Sequence, residues 1–217
     1  MRPALLFAFA LTALSCTAPP PTQPVSAPAT QPADSTEPDA LQSLHLRLVV
    51  NPATGDVTYL GWYDGRRNLL GSGGIVTALV GMEPPELRGE LKKLAPNELL
   101  FRGIDQNQIL WTKRYRLDDR TVFVTHTITN RGDRPFDAIL YSLADLPDAT
   151  IRGDNRDQLI TSPLANARFH AEIANPNFPG EQMNPYALRS DTHRLNPGDS
   201  MDCHMTWELQ VARAARP

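Results

Sequence analysis

The stretch ILWTKRYRLDDRTVFVTHTITNRGDRP, Ile109 to Pro135, decides how this chain is read. Val122, Val124, His126 and Ile128 fall on one side of a two-residue period, and Phe123, Thr125, Thr127 and Thr129 fall on the other. Such alternation of β-branched and aromatic residues makes a strand, and apolar groups on both sides predict cover on both faces. A second strand-like run, Ile109 to Leu117, precedes it, and the polar link through Asp118, Asp119 and Arg120 is short enough to join hairpin partners. Asn130, Gly132 and Pro135 then punctuate the chain. His126 is therefore mid-strand, and its place between Val124 and Ile128 favours a structural histidine over a catalytic one.

Further strands follow on both sides of this hairpin. Leu44 to Val50 leads into the turn NPATGD, and Val57 to Trp62 leads into YDGRRN. GELKKL and LLFRGI flank APNE, while Phe136 to Leu146 and Ala167 to Ile173 come later. The final segment is the clearest: Met201, Cys203, Met205, Trp207, Leu209 and Val211 alternate with Asp202, His204, Thr206, Glu208 and Gln210. One face of that strand belongs to a core, which makes Cys203 a packing thiol. Glu86 to Leu94 suits a short helix, and no longer segment has a helical apolar period. The expectation is an all-β protein: an antiparallel β-sandwich of about ten to twelve strands, forming a single domain over residues 41–212 with a short tail at 213–217.

The chain begins with Arg2, an apolar run from Ala4 to Leu14, and Ser15-Cys16. The run falls short of the roughly 20 apolar residues that span a bilayer, and its order is that of a secretory signal over residues 1–15. The ending ALSC resembles a bacterial lipobox, which implies lipidation of Cys16. Residues 16–40 are rich in proline, serine, threonine and alanine and cannot bury enough surface to fold, so they are expected to be a disordered linker. These features predict a lipoprotein anchored to a membrane of the bacterial cell envelope, its domain in the periplasm or outside the cell. A net charge of −3 with interspersed signs leaves no basic face and argues against a nucleic-acid partner.

Several segments together resemble the galactose mutarotase-like β-sandwich, the fold of aldose 1-epimerases. VTYLGWYDGRRNLL is similar to that family's strand, glycine, and asparagine followed by two apolar residues. The opening stretch is similar to its paired strands ending in asparagine, and LNPGDSMDCHMTWEL to its proline-glycine turn into a final strand. The folded region is shorter than a complete epimerase of this type, so the resemblance implies a shortened sandwich. It also implies a histidine general acid soon after the asparagine-ended strand and a glutamate base further on, since sugar ring opening moves two protons. The corresponding segment, FDAILYSLADLPDAT, has no histidine, and its polar residues Tyr141, Ser142 and Asp145 are not ready replacements.

No catalytic residue is assigned on this reading. His170 and Glu172, two residues apart and so on one face of a strand, come nearest to an acid-base pair. Without a third ligand they make no metal site, and no cofactor is expected. The expected ligand is a carbohydrate, met by flat aromatic faces and planar polar groups: Trp62, Tyr63, Asp64, Arg66 and Arg67 near one turn, with Phe178 and Tyr186 further on. Trp62 also suits the core beside Tyr59 and Leu60. Two other functions fit the same residues: an aldose epimerase or sugar isomerase with a rearranged site, and a structural lipoprotein that docks a protein by a sheet edge.

Overall fold

Alternation organises the architecture from the centre outward. The computed structural model describes residues 37–63, 68–82, 85–147, 149–153, 157–161, 166–171, 186–190 and 192–210. In chain order the strands are β1 (Ala40–Gln42), β2 (Leu46–Val50), β3 (Val57–Trp62), β4 (Ile75–Leu79), β5 (Arg88–Ala95), β6 (Glu98–Ile104), β7 (Ile109–Asp118) and β8 (Thr121–Asn130). There follow β9 (Phe136–Ala138), β10 (Leu140–Ala144), β11 (Thr150–Gly153), β12 (Asp157–Thr161), β13 (Asn166–Ala171), β14 (Tyr186–Arg189), β15 (His193–Leu195) and β16 (Ser200–Gln210). Every pairing is antiparallel, and the described residues contain no helix.

One sheet has six strands in the order β1-β2-β3-β4-β10-β14, a second has eight in the order β11-β12-β13-β16-β8-β7-β6-β5, and β15 pairs with β9. The two large sheets form the all-β sandwich that the alternation predicts. The hairpin β7–β8 turns through Asp119 and Arg120, and Asp119 takes a positive φ of 48°, which a short polar side chain tolerates.

Cross-strand register stacks the inner faces into rows. Trp111, Ile128 and Met201 form one, Tyr115, Val124 and Met205 another, and Leu117, Val122 and Trp207 a third. All nine are buried in a core that also takes Leu46, Leu48, Val50 and Leu60 from the six-stranded sheet. Each such aliphatic or aromatic side chain contributes about 1.5–3 kcal/mol on burial. Cys203 is buried on this face between Met201 and Met205, as the alternation of the last strand requires.

Three expectations are corrected. Glu86 to Leu94 does not make a helix: Arg88–Ala95 is the edge strand β5, where Leu91 pairs with Phe101 and Gly89 with Gly103. A Cβ at Gly89 would lie 2.5 Å from the carbonyl oxygen of Arg102, so close backbone approach replaces side-chain packing there. The outer side of β8 is not covered among the described residues: Phe123 is 36 % exposed, and Thr125, Thr127 and Thr129 are half-buried. An antiparallel sheet can leave one face to water. The strands number sixteen, because Phe136 to Leu146 splits at Ile139 and short strands such as β1 and β15 carry no periodic signal.

The asparagines of the resembling segments close turns. Asn68 accepts from the amides of Leu60 and Leu70 and donates to the carbonyl of Thr58, which seats Leu69 and Leu70 in the core. Asn130 donates to the carbonyls of Arg134 and Leu195 and accepts from the amide of Gly132, fixing the turn after β8.

Candidate functional site

The outer face of the eight-stranded sheet holds the candidate site. Its strands β7, β8 and β16 turn their apolar alternates inward, so the intervening residues meet solvent in register. Arg114 pairs across to Thr125, which pairs to His204; in the next row Arg116 pairs to Phe123, which pairs to Thr206. These six side chains, with the strand segments of Val124 and Met205, line a depression of about 360 Å³, within the range of small-ligand sites.

Its polar groups are partly committed. The Arg114 guanidinium is held by Glu98 at 2.6 Å, and His204 Nδ1 lies 3.1 Å from Thr125 Oγ1. Arg116 has no ion-pair partner among the described residues; its guanidinium carbon sits 4.7 Å from the centroid of the Phe123 ring. Beyond the depression, Thr127 donates to Asp202 and Thr129 meets Ser200, so hydroxyls continue along β8. The ladder carries the Arg116 row onward through His170 of β13 and Asp157 of β12.

The inner face of the same strands explains His126. Its register partners are Lys113 and Cys203, and both His126 and Lys113 are buried. Lys113 Nζ donates to Asp56 Oδ1 at 2.6 Å and to the Thr54 carbonyl at 2.9 Å, and Tyr115 Oη donates to the Gly55 carbonyl at 2.7 Å. His126 Nε2 lies 3.4 Å from Tyr115 Oη, and its Nδ1 has no hydrogen-bond partner. Burial, with the Lys113 ammonium second, holds the imidazole pKa well below 6.5. Burial likewise lowers that of Lys113 against the opposing pull of Asp56, and raises that of Tyr115. Lys113, Tyr115 and His126 are all buried, and the bonds of Lys113 and Tyr115 to residues 54–56 tie the eight-stranded sheet to the loop between β2 and β3.

The residues expected from the sequence to bind a ligand lie elsewhere. Trp62, at the end of β3, packs partly buried against the core, and Tyr63 beyond it is half exposed. Trp62 belongs to the six-stranded sheet and Tyr63 to the turn after it, and neither lines the depression. Asp64, Arg66, Arg67, Phe178 and Glu172 lie outside the described residues, as does Cys16, and Tyr186 is placed only as a backbone position paired with Ala144. Asp145 is occupied: its carboxylate accepts from the Gly73 amide, and a Cβ on Gly71 would lie 2.2 Å from it. Ser142 is buried 3.2 Å from Thr77 Oγ1. A larger depression of about 520 Å³ lies among the turns near Asn130, Gln106 and Gly132, but Asn130 is spent on closing the turn after β8 and the Gln106 side-chain oxygen accepts from the Glu86 amide.

Arg114, Arg116, Phe123, Thr125 and Thr206 thus line a candidate site that the sequence reading did not select. The signal was present in the polar alternates of the opening stretch and of the last strand, but only register shows which of them meet.

No protein-family model matches this sequence, and no curated protein does. Solved structures do. A candidate aldose 1-epimerase from Escherichia coli K12 superposes with a TM-score of 0.60 at 12 % identity, over 81 % of this chain and 99 % of that one. The galactose mutarotase related enzyme of Lactobacillus acidophilus gives 0.56 at 6 % identity, over 81 % and 98 %. A galactose mutarotase-like protein from Lactobacillus casei gives 0.54 at 10 % identity, over 80 % and 100 %. At these identities the likeness is one of fold, and the fold of this chain is the galactose mutarotase-like β-sandwich.

Proposed function

We propose that this protein is an envelope lipoprotein whose sandwich binds a carbohydrate without transforming it. One observation carries the reading: the outer face of the eight-stranded sheet gathers a half-open aromatic ring, two guanidinium groups, an imidazole and threonine hydroxyls around one depression. Sugars are held by flat apolar faces and by planar groups that make paired hydrogen bonds. The neighbours of like fold are named for aldose epimerisation and galactose mutarotation, which supports a sugar as the ligand class. Against catalysis, ring opening needs an acid and a base on opposite sides of the exchange. The described lining has one histidine, tied to Thr125, and no carboxylate.

The test is titration calorimetry against neutral and acidic oligosaccharides, with polarimetry of glucose and galactose mutarotation. Binding without acceleration over buffer is expected, and binding weakened in Phe123→Ala. Absence of binding to any glycan sinks the reading. Acceleration by wild type favours the epimerase alternative, and its loss in His170→Gln would locate the chemistry in the row that pairs His170 with Asp157 and Thr206.

A further inference from the structure

We infer that the ligand of the outer-face depression carries an acidic group, and that Arg116 is the residue that recognises it. This rests on the carbohydrate reading and narrows it to glycans bearing a carboxylate or a sulfate ester. Two guanidinium groups enter the depression, and they differ in one respect. Arg114 is neutralised by Glu98. Arg116, whose register partner on β6 is the same Glu98, makes no ion pair of its own among the described residues, and its guanidinium carbon lies 4.7 Å from the centroid of the Phe123 ring.

An arginine stacked on a ring keeps its in-plane N–H donors available while the ring fixes its orientation. A planar anionic group can then take two of those donors at once, as a carboxylate or sulfate does. The surroundings suit the remainder of a sugar. The Thr206 hydroxyl, in the same row, makes no side-chain hydrogen bond among the described residues, and the Thr125–His204 pair lies one row away. Adjacent strands are about 4.8 Å apart and alternate residues about 7 Å apart along a strand, so β7 to β16 present a patch about 10 Å wide and two rows deep. Phe123 lines the same depression beside Arg116, and neither arginine nor histidine in the lining repels an anion.

The experiment compares three polymers of defined charge at physiological salt, with the full-length protein titrated in turn with polygalacturonate, dextran sulfate and neutral dextran. Polygalacturonate is expected to bind at least about tenfold more tightly than dextran, and Arg116→Gln to remove that preference. Arg116→Lys keeps the charge without the fork and is expected to recover only part of it. Arg194→Gln, which removes an exposed arginine paired with Asp137 on the small β9–β15 sheet, is expected to change nothing. Thermal melting of each variant checks folding; Arg116 is exposed, so its substitutions leave the core intact. Dextran sulfate bound in place of polygalacturonate, with the same dependence on Arg116, supports the inference and identifies the acidic group as a sulfate ester. Equal affinity for all three polymers, unchanged in Arg116→Gln, overturns it while leaving carbohydrate binding in place. Equal weakening by Arg116→Gln and Arg194→Gln reveals general charge attraction and also overturns it. Failure to bind any polymer sinks both this inference and the reading beneath it.

Discussion

His126 sits where an imidazole has no water and little company. Its Nε2 is within reach of Tyr115 Oη, whose own proton goes to the Gly55 carbonyl, and its Nδ1 has no hydrogen-bond partner among the described residues. Protonating Nδ1 would place a second cation beside Lys113, the register partner of His126. The folded-state pKa is accordingly depressed. The unfolded chain therefore binds a proton near pH 6.5 that the folded protein refuses, so the neutral histidine's stability is complete above that pH and is lost as pH falls below it. Chemical denaturation between pH 7 and pH 5 is expected to show stability falling by up to about 1.4 kcal/mol per pH unit from this group. His126→Gln flattens that slope, costs about 1–3 kcal/mol at pH 7, and leaves glycan affinity within a few-fold of wild type. An unchanged slope in the variant would assign the acid sensitivity to other groups. Cys203, in the same row, offers a second check: native protein should resist thiol reagents and react once denatured, since the thiol is only 6 % exposed.

At the scale of the element, the loop between β2 and β3 does more than reverse the chain. Its residues 54–56 reach the opposite sheet, where the Thr54 carbonyl and the Asp56 carboxylate receive the Lys113 ammonium and the Gly55 carbonyl receives the Tyr115 hydroxyl. Gly55 has a φ of +68°, and a Cβ there would lie 2.4 Å from the Phe101 ring, so no other residue fits. Asp56→Asn leaves a wholly buried ammonium without its counter-charge, an expected loss of about 3–5 kcal/mol. Lys113→Met should cost far less, because Asp56 retains some exposure and the Thr77 amide. Adding Lys113→Met to Asp56→Asn should restore most of the stability, and denaturation of the three variants measures the coupling. A double variant as weak as Asp56→Asn alone would show that the loop is held by something other than this pair. The same scale shows what alternation can and cannot tell. β7, β8 and β16 were legible as strands because their residues alternate with a period of two, although Lys113 and His126 on the inner face and Phe123 on the outer one hid which side is buried. β4 was not, since Ile75, Thr77, Ala78 and Leu79 are all buried and leave no period to read. β5 read as a helix because pairing with β6, which no local pattern reveals, decides its conformation. The depression was illegible for a related reason. Arginine and threonine on a polar alternate look like any solvated face until register sets Arg116 against Phe123 and Thr125 against His204.

For the whole molecule, the division proposed is between a sandwich that holds its own core and a tether that holds the sandwich at a membrane. The first contacts among the described residues are those of Glu37, whose carboxylate meets Arg47 and whose carbonyl accepts from Ala40, and of Asp39, whose carbonyl accepts from Val50. β1 then closes one edge of the six-stranded sheet with Ala40 and Leu41 buried. The proline-rich segment before Glu37 has the composition of an extended spacer, and at about 3.1 Å per residue residues 17–36 would reach roughly 60 Å. If that segment serves only as reach, deleting residues 17–34 should leave the melting temperature within about 2 °C of wild type, since an effect of a few tenths of a kcal/mol moves it no further. Cys16→Ser should have the complementary effect, moving the protein from the membrane pellet to the soluble fraction without altering its melting. A membrane-bound Cys16→Ser protein would end the lipoprotein proposal. A deletion that lowers the melting temperature by 5 °C or more would instead show that the segment packs on the sandwich, because in a domain of this size such a shift needs about 1.3–2.5 kcal/mol of contacts that a bare spacer does not make.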